Sequence, residues 1–277
     1  MNLVVINDYV MYSKTPNTID KRARIFTKSF YFNTLNDFTK RTVRVYLPST
    51  YDFNNPRKRY SVLYMFDAKN LFDDYTSFVG EWKIDEIIEN SIKNKESDGI
   101  IVVGIDAPGT DTDRSEEMSP NDIIIKNKRI SRGYIDLLLD FVVNEVKKDI
   151  DKTFFTKKDK NHTFVGGSSM GGLASWYFLS HRSDVFSVAL CYSSAFFLLN
   201  KKSLMDYVEK DAKTNKGKYL FFVGGVGFEN IFIKDVVDVY KTYKKNKVNT
   251  YLILDTSKEH NEKAWSEYFL AFYKHLL

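Results

Sequence analysis

The amino-acid sequence predicts an α/β fold, a mostly parallel central sheet with helices on both faces. Two observations carry this expectation. Segments of β character alternate with segments of helical period along the chain. The central β segments are continuously apolar, as strands covered on both faces must be. No repeat, low-complexity tract or linker-like shift in composition interrupts the pattern. Residues 1–277 are therefore expected to form a single domain, with 1–26 as an N-terminal extension.

Ser29 to Leu35 and Arg41 to Leu47 read as two opening strands, the second with alternation through Thr42-Val43-Arg44-Val45-Tyr46. Pro48 ends it, and Asn54-Asn55-Pro56 marks a turn. Ser61 to Phe66 and Gly99 to Ile105 are the first fully apolar strands, separated by a helix with Ile84, Ile87, Ile88 and Ile92 on one face. A long helical pattern runs from Tyr134 to Lys148. Thr163 to Val165 is a strand entering Gly166-Gly167-Ser168-Ser169-Met170-Gly171-Gly172, and Leu173 to Ser180 continues as helix. Phe186 to Tyr192, Tyr219 to Val223 and Thr250 to Leu254 are further strands, and Trp265 to Leu276 closes the chain as an amphipathic helix. Thr110 to Arg132 fits least well, being polar with one apolar block at Ile123-Ile124-Ile125. Compact domains favour short connections, so an excursion of this length is expected at the mouth of a pocket.

Composition narrows the class of partner. The net charge of +5 comes from 41 Lys and Arg against 36 Asp and Glu, with the Lys scattered and no basic amphipathic stripe. That describes a solvated surface and no nucleic-acid partner. The 22 Phe and 18 Tyr are spread along the whole chain, as in Lys-, Asn- and Phe-rich proteins of AT-rich genomes. Cys191 is the one cysteine, which excludes an intrachain disulfide; its apolar setting in Val188 to Tyr192 describes a buried, inert thiol. No basic region precedes Leu3-Val4-Val5-Ile6, which is too short for a signal peptide, and no apolar run approaches the ~20 residues of a membrane span. The expected setting is cytoplasmic, with no membrane partner; a homo-oligomer is left open.

Chemistry concentrates at Gly167-Ser168-Ser169-Met170-Gly171, a G-x-S-x-G pattern lying between a strand and a helix. A strand-to-helix turn that sharp forces the serine into a strained backbone, and glycines two positions away remove Cβ atoms that would collide. Ser169 is thus the candidate nucleophile, raised above the sheet at a helix N-terminus that favours developing negative charge. Ser168 is the rival nucleophile, but only Ser169 has glycine at both the −2 and +2 positions. A serine nucleophile needs a base, and three of the four histidines fail on placement. His162 precedes its strand, His181 lies twelve residues along the following helix, and His275 sits in the last helical turn. His260 follows the last strand in a polar loop at the carboxyl edge of the sheet and is the candidate base. The orienting acid belongs between them in this chain order, and Glu229, just past the glycine-rich end of the Tyr219 to Val223 strand, is preferred over Asp235, Asp238 and Asp255. The oxyanion donors are expected to be the N–H groups of Met170 and Ala68, the small side chain of Ala68 admitting the substrate oxygen.

These segments resemble an esterase family within the α/β-hydrolase superfamily, which includes enterochelin, feruloyl and acetyl-xylan esterases, S-formylglutathione hydrolase (esterase D) and mycolyl transferases. Asp67-Ala68-Lys69-Asn70-Leu71-Phe72 is similar to its D-G-Q-N-L-F, and Gly80-Glu81-Trp82-Lys83-Ile84-Asp85-Glu86 to its G-E-W-x-x-D-E. Val103 to Asp106 resembles V-G-I-D, and Arg114, Glu117 and Pro120 fall as in R-x-x-E-x-x-P. Gly167 to Gly172 reads as G-S-S-M-G-G, and Glu259-His260-Asn261-Glu262 to Trp265 resembles the histidine loop. Ala68-Lys69 departs from Gly-Gln, and Ser193-Ser194-Ala195-Phe196-Phe197 from S-P-S-F-W. The resemblance implies an α/β-hydrolase fold and a serine carboxylesterase without metal or organic cofactor. Its substrate would be a small-molecule or glycan-linked ester, held in a pocket walled by Lys69, Asn70, Trp82 and Arg114. Acyl transfer through the same residues and a non-catalytic binding module are the alternatives.

Overall fold

The computed structural model describes residues 5–12, 24–34, 38–78, 80–125, 128–227 and 230–277. Leu35, at the end of the first expected strand, and the stretch 13–23 of the expected extension lie outside these residues. Among the described residues, ten strands form one sheet in the order β1-β2-β3-β4-β6-β5-β9-β10-β11-β12. β1 (Val5–Ile6), β2 (Tyr9–Tyr12), β3 (Arg24–Asn33) and β4 (Phe38–Leu47) are antiparallel to their neighbours. β5 (Val62–Phe66), β6 (Ile101–Ile105), β9 (Thr163–Ser168), β10 (Val188–Tyr192), β11 (Lys218–Gly224) and β12 (Asn249–Asp255) run parallel. Residues 5–12 thus extend the sheet edge.

Period-two alternation divides the core between the two faces of the sheet. Val62, Tyr64 and Phe66 of β5 and Tyr219, Phe221 and Val223 of β11 pack into one cluster, with helices α5 (Met170–His181), α6 (Lys201–Thr214) and α7 (Asn230–Lys245). Leu63, Met65, Leu220 and Phe222 point the other way, against α1 (Ile84–Lys93) and α8 (Glu262–Tyr273). The expected Tyr134 to Lys148 helix is longer: α3 (Ile135–Asp140) passes through a π-helical segment, Phe141–Val146, into α4 (Lys147–Thr153). Cys191 is fully buried, and burial pushes its thiol up, which leaves it inert.

The polar excursion after β6 is ordered by charge. It contains α2 (Asp111–Met118), capped by Thr110 accepting from the Asp113 N–H at 3.1 Å, and a hairpin of β7 (Ile123–Ile125) with β8 (Lys128–Ser131). Glu117 of α2 is fully buried and receives both terminal nitrogens of Arg41 from β4, Nη2 at 2.7 Å from Oε2. Arg41 Nη1 also donates to the Asp106 carbonyl at 3.1 Å, which closes the pair off from water. A buried ion pair of this kind fixes geometry more than it adds stability. Glu117→Leu is expected to cost about 3–5 kcal/mol in urea unfolding by stranding the Arg41 charge, and Arg41→Met/Glu117→Leu to recover most of it. A double variant as unstable as the single one would contradict this account of the pair.

Candidate active site

Four loops leave the carboxyl ends of parallel strands and meet around one cavity of about 1030 Å³. Its walls include Asp67, Lys69 and Asn70 after β5, Ala107 to Asp111 and Arg114 after β6, Ser168 and Ser169 after β9, and His260 to Glu262 and Trp265 after β12. Thr76, Ser77 and Phe78 complete the rim. Ser169 and His260, separated by ninety-one positions in the numbering, therefore open onto the same space.

The Ser169 backbone lies at φ 56°, ψ −118°, outside the ordinary regions for an L-residue. Such a conformation costs on the order of 1–3 kcal/mol and persists only where its surroundings over-determine it. Here Ser169 N–H donates to the Tyr192 carbonyl at 2.9 Å, and the Ser169 carbonyl accepts from Leu173 N–H at 3.0 Å and Ala195 N–H at 3.1 Å. The glycines supply the clearance. A Cβ on Gly167 would stand 2.8 Å from the Gly171 carbonyl carbon, and one on Gly172 would stand 2.6 Å from the Tyr192 carbonyl oxygen. Ser168, the last residue of β9, is 6% exposed and has ordinary strand geometry. Met170 opens α5, so its N–H has no partner one turn back within the helix.

Across the cavity, Asp67 adopts a left-handed conformation at φ 59° and starts the 3₁₀ turn Ala68–Asn70. Arg114 grips both Asp67 carboxylate oxygens, Nε and Nη2 each at 2.7 Å, and so ties α2 to this turn. The small size of Ala68 also serves packing. Its side chain is buried at 1% exposure, and a Cβ on Gly104 would come within 2.6 Å of the Ala68 Cβ. Ala68 and Gly104 are both small so that the turn can settle onto β6.

The His260 ring sits in an aromatic corner. Phe232 stacks on it at 4.4 Å between centroids, and Trp265 meets it edge-on at 4.9 Å. Trp265 is fixed in turn by its Nε1–H donating to Ser193 Oγ at 3.1 Å. Asn261 caps α8 by accepting from Ala264 N–H at 2.9 Å, which sets where the histidine loop ends. The remaining histidines are engaged elsewhere. His162 pairs with Asp159, His181 stacks between Tyr177 and Tyr207, and His275 lies against Tyr251.

Glu229 lies outside the described residues. Its rivals have other partners. Lys201 binds Asp235 at 2.6 Å and Asp238 at 2.7 Å, while Asp255 accepts from Ser257 and Tyr268, which hold its carboxyl down to about 2. Lys69, Asn70 and Arg114 line the cavity as expected of pocket residues, but Trp82 does not. It is 2% exposed and packs behind the wall, its ring 5.6 Å from Trp265 and edge-on to Tyr192 at 4.9 Å. An apolar indole at a helix entrance is drawn into the core beneath the site.

Residues not anticipated from sequence also reach the cavity. Phe78 is 91% exposed at the rim, and Glu262, 4% exposed, accepts from Asn70 Nδ2 at 2.9 Å. Glu262 directly follows the cap residue of the histidine loop, which was the available signal; nothing local marks Phe78. One carboxylate group could hold a cation: Glu81, Asp85 and Glu86 bring an oxygen each within 4.8 Å of the others, but none of them lines the cavity.

Residues 36–221 match the family model described as "Putative esterase", two thirds of the chain, and the protein belongs to that family. It is an esterase with an α/β-hydrolase type of fold. Among solved structures, it is similar to the BES protein from Bacillus cereus at 16% identity and TM-score 0.68, covering 96% of this chain and 98% of that one. It is also similar to the siderophore hydrolase EstB from Aspergillus nidulans (16% identity, TM-score 0.67, 89% of this chain and 94% of that one). The enterobactin esterase FES from Shigella flexneri matches at 14% identity and TM-score 0.69, with 95% of this chain against 60% of that one. No helix among the described residues is long and apolar enough to cross a membrane.

The glycine clearances yield a test with an unusual sign. Inside a helix, Gly→Ala ordinarily gains about 0.5–1 kcal/mol. At Gly172 the added Cβ meets a backbone oxygen that cannot swing aside. Gly172→Ala is expected to lower the urea midpoint and to reduce ester turnover as the turn is displaced. An increase in stability would show that the turn is looser than described.

Proposed function

We propose that the protein hydrolyses carboxylic esters through an acyl-enzyme on Ser169, with His260 as general base and Glu229 orienting it. The observation that carries this reading is the strained Ser169 backbone opening onto the same cavity as His260. His260 takes the Ser169 proton as Oγ attacks the ester carbonyl carbon. The tetrahedral oxyanion accepts from the N–H groups of Met170 and Ala68. Collapse breaks the ester bond; the alcohol leaves with the proton carried by His260. Water then attacks the acyl-enzyme, giving its proton to His260; the acyl–Oγ bond breaks as His260 returns that proton to Ser169 Oγ, and the carboxylic acid departs. No metal or organic cofactor takes part in this sequence.

The described residues before Glu229 support assigning it the role of acid. Gly225 and Val226 N–H groups both donate to the Lys258 carbonyl at 3.1 Å, so the chain leaving β11 runs beside the histidine loop shortly before residue 229. That approach depends on Gly225, where a Cβ would lie 2.6 Å from the Thr256 Cα. The cavity, about 1030 Å³, stands at the upper end of the ~300–1,000 Å³ usual for small-ligand sites. That volume supports a bulky ester substrate, of the kind implied for the relatives named as siderophore and enterobactin hydrolases.

A turnover series tests the assignment. Ser169→Ala and His260→Ala are expected to lose at least ~10³-fold in kcat to a similar extent, because nucleophile and base act as a unit. Glu229→Gln should lose about two orders of magnitude, ~2.7 kcal/mol, while Asp235→Asn and Asp238→Asn remain near wild type. A large loss at Asp235 or Asp238 with none at Glu229 would move the acid; no loss at Ser169 would overturn the mechanism.

A further inference from the structure

We propose that Asn70 and Glu262 form a positioning pair that holds the histidine loop against the oxyanion turn. The inference rests on the reading of Ser169 and His260 given above. The two residues are 192 positions apart, and the Asn70 Nδ2 to Glu262 Oε1 hydrogen bond of 2.9 Å joins the turn after β5 to the start of α8 directly in the cavity wall.

Asn70 is committed on every side. Its backbone N–H donates to the Asp67 carbonyl at 3.0 Å, which closes the turn carrying Ala68. Its backbone carbonyl accepts from Trp82 N–H at 2.8 Å, anchoring the turn to the entrance of α1. Its side-chain Oδ1 accepts from Phe78 N–H at 3.1 Å and from Ser77 Oγ at 3.4 Å, which fixes the rim loop. Its Nδ2 reaches out of the turn, and its partner there is Glu262. Asn70 thereby links the oxyanion turn, the aromatic rim and the residue two places beyond His260. With its backbone groups, Oδ1 and one Nδ2 hydrogen engaged by the protein, Asn70 is held in a single orientation in the cavity wall.

Glu262 has the complementary character. It begins α8, it is 4% exposed, and its other oxygen, Oε2, is buried without a hydrogen-bond partner. Burial pushes its carboxyl up, and nearby Asp67 adds to that, while its own backbone N–H and the Asn70 amide oppose them. A buried carboxyl with one satisfied oxygen costs stability. Its arrangement is explained if the bond it makes to Asn70 has a geometric purpose. Base, nucleophile and oxyanion donors come from three different loops, and errors of about 1 Å in such an arrangement can cost on the order of 10²-fold in rate.

The pair can be tested by exchanging its polarity at constant shape. In Asn70→Asp two carboxyls confront each other, while the Phe78 N–H keeps an acceptor. In Glu262→Gln the Asn70 donor keeps its acceptor. In the double variant the amide introduced at position 262 can donate to the carboxyl introduced at position 70, restoring the bond in reverse. Turnover is measured per active site titrated with a phosphonate, so that misfolded protein does not count. Asn70→Asp is expected to lose about tenfold or more in kcat with KM changed by less than about threefold, because positioning acts on the transition state. Glu262→Gln should stay within about threefold, and the double variant should recover to within about threefold of wild type, a coupling that independent sites do not show. A double variant equal to or worse than the product of the singles would overturn the pair, as would a loss confined to KM. Ser169→Ala, run alongside, separates the two levels: if it stays active, the reading of the site fails, whereas an inactive Ser169→Ala with no rescue refutes the pair alone.

Discussion

The site depends on one backbone constraint, the positive φ of Ser169 at the joint between β9 and α5. A strand and a helix can meet at that angle only if the chain crosses itself within van der Waals distance. The clearances at Gly167 and Gly172 measure how closely it does so. Three backbone hydrogen bonds, to Tyr192, Leu173 and Ala195, hold the strained residue. Two of them run to β10 and the segment just after it, so the elbow is stabilised by the neighbouring strand as well as by its own helix. The energy stored in the turn is supplied by the buried parallel sheet, whose apolar residues fill both faces.

From that fixed point the other components are placed by long-range polar ties. Arg114 binds Asp67 beside the Ala68–Asn70 turn, Arg41 buries Glu117 to seat α2, and Asn70 bonds Glu262 in the cavity wall. The first and third join loops or helix starts at the carboxyl edge of the sheet, and the second joins α2 to strand β4. Apolar packing alone would leave these loops free to slide. Directional bonds set register, and buried charge makes wrong registers costly. The aromatic corner of Phe232 and Trp265 does the same for the His260 ring by shape.

The parallel sheet was legible in the sequence because buried strands carry uninterrupted apolar runs; β5, β6, β10 and β11 all lie at their expected segments. The elbow was legible because its glycines answer a steric requirement local to five residues. Helix α2 was not. Asp111–Met118 has no apolar stripe, and its stability comes from the Thr110 cap and from Glu117 meeting Arg41, 76 positions away. The β1–β2 hairpin escaped notice because two short strands carry little periodic signal. Trp82 shows a subtler limit. It falls in a segment that builds the site, yet it packs beneath the cavity wall, since proximity in sequence does not say which way a side chain turns. Glu262 shows the reverse case, a surface-type residue drawn into the cavity wall by a partner that only the fold brings near.

The central claim is that Ser169 becomes covalently acylated with His260 as its base. The most direct measurement is peptide mass mapping after brief exposure to a fluorophosphonate, which traps an activated serine and leaves ordinary hydroxyls untouched. The account predicts stoichiometric label on the peptide containing Ser168 and Ser169, fragment ions assigning it to Ser169, and label largely abolished in His260→Ala. Label on Ser168, or equal labelling of Ser169 without His260, would contradict it.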